Sequence, residues 1–361
     1  MNNLNMFNSD HEKNDGQRNE KKSKGVPLSE MIKKAKETPV TPFIWNGIQS
    51  GSFGYIFGPS KSGKTTLSEN LGMCIANGEK EFLGIPIEIE NHKVLFVSLE
   101  EYWKPRTERN AKQAERFCTN GEIGWLENFI VVNDEFPRFL SSKKDWDDLE
   151  SLFQEYNPGI VFIDSLTRIV SGQIEDSREA KQIGIKLRAL ANKYETAIIC
   201  IHHCPKLLGN ELNIDSLAGS RVLSQDADFA IGVNRNASGT RYLKNVFLRY
   251  ADDSADKAKI FTIDKNQWVV LNETKSESKI LQADDGRRND ANRDLIFEFI
   301  KQTIESGIEK VLTQQLIQEF VMNGKIVKST LYDCLDVLEG EERIARIKKG
   351  EYTLKRNNQV D

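Results

Sequence analysis

Residues 58–66 read GPSKSGKTT. A glycine, four further residues and then Gly-Lys-Thr is the spacing of a loop that wraps phosphate groups. Glycines let backbone N–H groups approach phosphate oxygens, and a helix beginning at the loop's end turns its positive pole toward them. In that arrangement Gly58, Pro59, Ser60, Lys61, Ser62 and Gly63 form the cradle and Thr66 follows in the first helical turn. Lys64 reaches the β- and γ-phosphates, and the Thr65 hydroxyl holds Mg²⁺. The expected ligand is a nucleoside triphosphate.

Asp164 ends the apolar run GIVFID. An acid at a strand tip can hold the metal through water. Ser165 follows it where many ATPases have a catalytic Glu, so the group that orients the attacking water must come from elsewhere. Glu100, at the end of KVLFVSLE, is the candidate, with Glu101 as the alternative. Parallel strands bring their C-terminal ends to one edge, where a carboxylate could serve as the base. His202 and His203 close AIICIHH. Strand alternation sends them to opposite faces and leaves one to meet the γ-phosphate as a polar sensor.

Three other chemistries fit less well. Cys200, His202, His203 and Cys204 are too tightly spaced for a structural zinc site, and the remaining histidines are His11 and His92. NKYE at 192–195 lacks the last Asp of a guanine-reading motif and precedes a strand, so ATP is the expected nucleotide. Arg106, Arg109 and Arg116 in PRTERNAKQAER fit the solvated face of a helix better than a kinase lid.

The elements that must position these groups alternate. KVLFVSLE, NFIVVND, GIVFIDS, AIICIHH and DFAIGVNR are short apolar runs bounded by polar or turn residues, as expected of strands covered on both faces. Helices lie between them. Trp146, Leu149, Phe153 and Tyr156 follow helical spacing, as do Ala180, Ile183, Leu187, Leu190 and Tyr194. The fold class is therefore α/β, a doubly wound and mostly parallel sheet. KNVFLRY, AKIFTID and QWVVLN then add consecutive strands, the last two joined by a tight turn at Lys265-Asn266.

Totals bound the rest. The 361 residues carry 50 basic and 54 acidic side chains, a formal charge of −4, and 39% are apolar. A substantial core can form, and no global basic field announces nucleic acid. Five scattered cysteines, no secretory pattern and no long apolar run point to a reduced, cytoplasmic chain without a membrane span. Residues 1–26 read as a disordered tail, 27–272 as the nucleotide-binding domain, 273–290 as a linker and 291–357 as a separate unit. That unit shows three helices and a hairpin, the order of a winged helix-turn-helix.

Taken together, GPSKSGKTT, VLFVSLEE, IVFIDSLTRI, IICIHHCPK and LAGSRVLSQDADFAIGVNR resemble the RecA-type core of hexameric replicative helicases. The likeness is nearest to the plasmid RepA type and more distant to the DnaB type, and it covers about residues 40–272. It implies an ATP-hydrolysing motor acting in replication or mobilisation of a plasmid, phage or integrated element. Lys64 and Thr65 match the phosphate and Mg²⁺ ligands, Glu100 the catalytic glutamate, Asp164 the metal-coordinating aspartate and His203 the sensor. It also implies a homo-oligomeric ring, with a hexamer favoured, in which a neighbour's arginine reaches the γ-phosphate. Arg249 falls near that position, Ala251 stands where a second cation would be, and Arg241 and Arg221 are alternatives. Loops at about 167–178 and 204–218 would face single-stranded DNA. The second carries Lys206 and Asn210 beside Glu211 and Asp215.

In the C-terminal unit Lys328, Ser329, Thr330 and Tyr332 fall where a recognition helix would meet duplex DNA, and Arg343, Arg346, Lys348 and Lys349 fall on the wing. Residues 286–361 hold 13 basic and 13 acidic side chains, so this DNA contact has no net charge behind it. The different-class alternative is a regulatory ATP switch, of recombinase-like or clock-type kind, that binds DNA without unwinding it.

Overall fold

Side-chain alternation decides the architecture. Phe53, Tyr55, Phe57, Leu95, Val97, Val161, Ile163, Ile198 and Cys200 pack into one core, while Ile56, Val94, Phe96, Ile160, Phe162, Ile199, Ile201 and Ile231 pack into another. These strands are thus buried on both faces, as their near-continuous apolar runs require. The computed structural model describes residues 25–41, 43–118, 123–169, 177–217, 223, 225–251 and 257–355, with the backbone alone at 177–180, 285, 287 and 288. The tail expected over 1–26 lies outside the described residues but for its last two.

The chain divides into a unit spanning Met1–Thr41 and one spanning Pro42–Asp361. In the first, helix α1 (Leu28–Glu37) follows Pro27, and the Thr38 hydroxyl donates to the Lys34 carbonyl at 2.8 Å. The second begins with a hairpin of β1 (Phe43–Trp45) and β2 (Ile48–Gln49). Its turn is Asn46-Gly47, with positive φ at both residues, as a two-residue hairpin demands.

Next come β3 (Phe53–Gly58), helix α2 (Lys64–Ala76), the small hairpin β4 (Glu81–Phe82) and β5 (Ile85–Pro86), β6 (Val94–Ser98) and α3 (Trp103–Ala114). Then follow β7 (Phe129–Val131), α4 (Lys143–Tyr156), β8 (Ile160–Asp164), α5 (Ser177–Lys193) and β9 (Ala197–His203). Helix α4 starts in a capping box, with the Asp145 amide on Ser142 Oγ at 3.2 Å and the Ser142 amide on Asp145 Oδ2 at 2.7 Å. The last strands of this part are β10 (Phe229–Arg235), β11 (Arg241–Leu248), β12 (Lys257–Ile263) and β13 (Val269–Ser276).

Among the described residues nine strands form one sheet in the order β13-β12-β11-β10-β3-β9-β8-β6-β7. From β10 to β7 neighbours run parallel, and β11, β12 and β13 are antiparallel additions. This is the mostly parallel, doubly wound α/β sheet with terminal antiparallel strands that the run pattern requires. Helix α2 packs Leu67, Leu71 and Ile75 on one face, while α4 and α5 pack Leu149, Phe153, Ile183 and Leu187 on the other.

The linker expected at 273–290 is corrected. Residues 273–276 complete β13, and Glu277 opens helix α6 (Glu277–Glu305). Polar composition misled here because two of the carboxylates are partnered and buried rather than solvated. Glu277 is 0% exposed and Asp284 2%. Helix α6 places Ile280 in the sheet's core and Ile296 and Ile300 in a third core. That third core is closed by β14 (Val311–Leu312), α7 (Thr313–Leu316, continuing as a π-helical turn to Met322), α8 (Lys328–Gly340), β15 (Ile344–Lys348) and β16 (Glu351–Leu354). Its three strands pair in the order β14-β16-β15.

Candidate functional site

Register brings the motif residues to one edge. Ser98 pairs with Asp164, Asp164 with Ile201, and Gly58 with His203, so β6 and β8 end level with each other and β3 and β9 end together two residues further on. Gly58 is forced by crowding, since a Cβ there would lie 1.8 Å from the Val233 carbonyl oxygen. The loop then turns through Lys61 and Gly63, both at positive φ, into α2.

Lys64 is only 3% exposed, and its Nζ donates to the Gly58 and Pro59 carbonyls, each at 2.9 Å. Burial pushes its ammonium down to about 8, against the attraction of Asp164. Thr65 Oγ1 donates to Asp164 Oδ2 at 2.7 Å. Burial raises the Asp164 carboxyl to about 6, and the Thr65 hydrogen bond opposes that rise. A hydroxyl and a carboxylate in contact are hard oxygen donors, and they suit an ion such as Mg²⁺ that takes few protein ligands and keeps its waters. Among the described residues no group of three or more His, Cys, Asp or Glu side chains gathers to hold a metal.

Glu100 sits just beyond β6 and is held from three sides. Ser165 Oγ donates to its Oε1, Thr167 Oγ1 donates to the same oxygen at 3.0 Å, and His203 Nε2 lies 3.4 Å from Oε2. The His203 contact, with the two hydroxyls, holds the Glu100 carboxyl down at about 2 despite partial burial. His202, the residue before it in β9, is 1% exposed.

Glu101 is committed elsewhere. Arg109 donates to both Glu101 oxygens at 2.7 and 2.6 Å, and to both oxygens of the fully buried Glu69 at 2.9 and 2.7 Å. Gln113 Nε2 adds a bond to Glu69 at 3.1 Å. The reading of PRTERNAKQAER as a solvated charged face is therefore corrected. Arg106 is 2% exposed and donates to the Val132 carbonyl at 2.8 Å, so α3 turns cations inward toward buried acceptors.

A family described as an AAA domain matches the chain over residues 21–208, just over half of its length and the part that carries this edge. The chain belongs to this AAA-domain family. No curated protein sequence matches the chain. Among solved structures, one ATPase domain is similar at 16% identity and a TM-score of 0.49, covering 68% of this chain and 97% of that one. A KaiC-like protein from Pyrococcus horikoshii is similar at 17% identity and a TM-score of 0.45, covering 64% and 94%. A DnaB-like replicative helicase is similar at 16% identity and a TM-score of 0.49, covering 70% and 68%.

The remaining expected residues fall at different places in this AAA-domain chain. Asp228 precedes β10, which is parallel to β3, and Arg249 follows the antiparallel β11, so both lie at the sheet edge opposite the phosphate loop. Arg249 Nε is 3.0 Å from Asp228 Oδ1, and its Nη2 donates to the Ala227 carbonyl at 3.0 Å. Asp228 also takes Arg188 at 2.9 Å and the Phe53 amide at 3.1 Å. Arg241 is on the phosphate-loop side, with its Cδ 3.6 Å from where a Cβ on Gly63 would stand. Arg221, residues 170–176 of the first loop and residue 218 of the second lie outside the described residues.

Among the C-terminal residues, the cations expected on a wing are paired locally, apart from Lys349. Arg343 meets Asp294 at 3.1 Å, Arg346 meets Asp336 at 2.8 Å and Glu339 at 3.0 Å, and Lys348 meets Glu351 at 3.2 Å. Among the described residues no carboxylate pairs with Lys328 or Lys349. The sequence reading missed Thr167 and Glu69. The one charged residue of SENLGMCIA is the signal that could have marked Glu69, but its partners lie 40 or more residues away.

Proposed function

We propose that this chain is an Mg²⁺-dependent ATP hydrolase that works as an oligomeric, DNA-dependent motor of the RepA-like helicase kind. The observation that supports the reading best is the shared edge: buried Lys64, the Thr65–Asp164 contact, and Glu100 held beside Ser165 and His203. Lys64 and the loop amides bind the phosphates. Mg²⁺, held through Thr65 and Asp164, would supply positive charge to the phosphate oxygens. Glu100 orients the attacking water and accepts its proton, and His203 faces the γ-phosphate as sensor. A neighbouring subunit donates a cation, with Arg249 the first candidate because it lies at the far edge of its own sheet. Single-stranded DNA would pass the loops after β8 and β9, and the C-terminal unit, read as a winged helix, would meet duplex DNA through Lys328 and Lys349.

One observation favours a second reading. Glu277 of α6 takes the Leu212 amide at 2.8 Å, which ties the loop after His203 to the start of the helix that runs on to Glu305, a link that a regulatory ATP switch would need. ATPase and unwinding assays decide between the two. Single-stranded DNA should stimulate hydrolysis, and a forked duplex should be opened. A duplex left intact, with ATP changing only DNA affinity, selects the switch. Lys64→Ala should abolish nucleotide-dependent activity, and Glu100→Gln should keep ATP binding while lowering hydrolysis by about 10²- to 10⁴-fold.

A further inference from the structure

Glu100 lies just past the end of its strand, one residue beyond the last backbone bond to β8, which the Leu99 amide makes to the Asp164 carbonyl at 2.6 Å, and its side chain is 34% exposed. A carboxylate so placed keeps several rotamers unless other groups restrict it. The restriction comes from the segment after Asp164. Ser165 is fully buried and Leu166 is fully buried beneath the short turn Leu166–Arg168. That anchoring turns the Ser165 and Thr167 hydroxyls toward each other at 2.6 Å, and both contact Glu100 Oε1. The two hydroxyls fix one oxygen and leave Oε2 toward His203.

We propose that Ser165 and Thr167 are positioning residues that hold Glu100 in the orientation from which it acts on water. The inference rests on the hydrolase reading above and deepens it. Ser165 then does more than occupy the place where other ATPases have a glutamate. It is the fixed point from which the displaced glutamate, carried on the neighbouring strand, is aimed. The hydroxyls need not touch ATP, so nucleotide affinity should not depend on them. Thr167 also begins the loop assigned to DNA, so a ligand that shifts this turn would shift Glu100 with it.

The test is a double-mutant cycle on the full-length chain, with single-turnover ATP hydrolysis and ATP binding measured separately. Ser165→Ala and Thr167→Val should each lower the hydrolysis rate about tenfold, within what a positioned base contributes, and leave ATP affinity unchanged. Thr167→Ser keeps the hydroxyl and should restore most of the rate. In the Glu100→Gln background, neither Ser165→Ala nor Thr167→Val should cost anything further, because residues that act as a unit are non-additive. Losses that multiply in that background, or a Thr167→Val variant as fast as wild type, overturn the inference while leaving the hydrolase reading intact. A wild-type chain that binds ATP and never hydrolyses it overturns both. If Ser165→Ala does not fold, the Thr167 pair of variants carries the cycle alone.

Discussion

Asp164 shows what a buried carboxylate costs. Its side chain is removed from water, and burial lifts its carboxyl from 3.8 to about 6. Between those values the folded protein binds more protons than the unfolded chain, so this group's contribution to stability falls as pH rises through that window. A shift of about two units corresponds to roughly 3 kcal/mol once the group is ionised. Asp164→Asn should therefore stabilise the nucleotide-free protein at pH 7.5 by an amount of that order. The gain should largely disappear near pH 4, where the wild-type carboxyl is protonated too. Urea denaturation of both proteins at the two pH values checks this, and an equal difference at both would refute it. Glu100 differs because its three donors favour the charged form. It stays ionised far below neutrality, so an acid limb of activity near pH 6 should not be assigned to it.

At the scale of elements, α6 is fastened by a buried polar cluster. Glu277 Oε2 takes Lys244 Nζ at 2.6 Å, and Oε1 takes Tyr242 Oη at 2.9 Å and the Leu212 amide at 2.8 Å. Seven residues on, Asp284 takes the Ser238 amide at 2.7 Å. Glu277→Ala would leave the Lys244 ammonium, itself 8% exposed, with only the Leu212 carbonyl at 3.2 Å and the more distant Glu211 at 3.9 Å, and should cost about 3 kcal/mol in urea denaturation. Glu277→Leu combined with Lys244→Met should cost less than Glu277→Ala alone, since no charge is then left buried without its partner. A double variant less stable than the single would exclude an ionic origin. This cluster is why 273–290 could not be read correctly. A Glu-Ser-Lys-rich stretch looks solvated in sequence, and its partners Leu212, Tyr242 and Lys244 sit 33 to 65 positions earlier. The sheet strands and the helices around them were legible because each advertises burial through its own periodicity. Helix α3 was legible as a helix but not in its facing, since Arg106 and Arg109 are turned inward by Val132, Glu69 and Glu101.

For the whole molecule, the distance between Lys64 and Arg249 matters most. They lie at opposite edges of one sheet, so any shared chemistry needs a second copy. If Arg249 is the donated cation, Lys64→Ala and Arg249→Ala subunits should each be inactive alone. Mixed in equal amounts they should recover up to about a quarter of wild-type ATPase activity, because random pairing restores complete sites at that share of head-to-tail interfaces. No recovery from two folded variants would leave Arg249 as a strut for Asp228. Among the described residues no helix is long and apolar enough to cross a membrane. The order of residues was enough to locate the phosphate loop, the strand tips that carry Glu100, Asp164 and His203, and the α/β class. These are local signals, because a glycine spacing, an apolar run or a helical stripe lies within a few turns of chain. Folding in three dimensions was needed to commit Glu101 to Arg109 and bring Glu100 beside Ser165 and His203, to turn α3's arginines inward and to fasten α6 to the sheet. Each of those outcomes is an electrostatic pairing between residues far apart in the chain, and burial sets its strength.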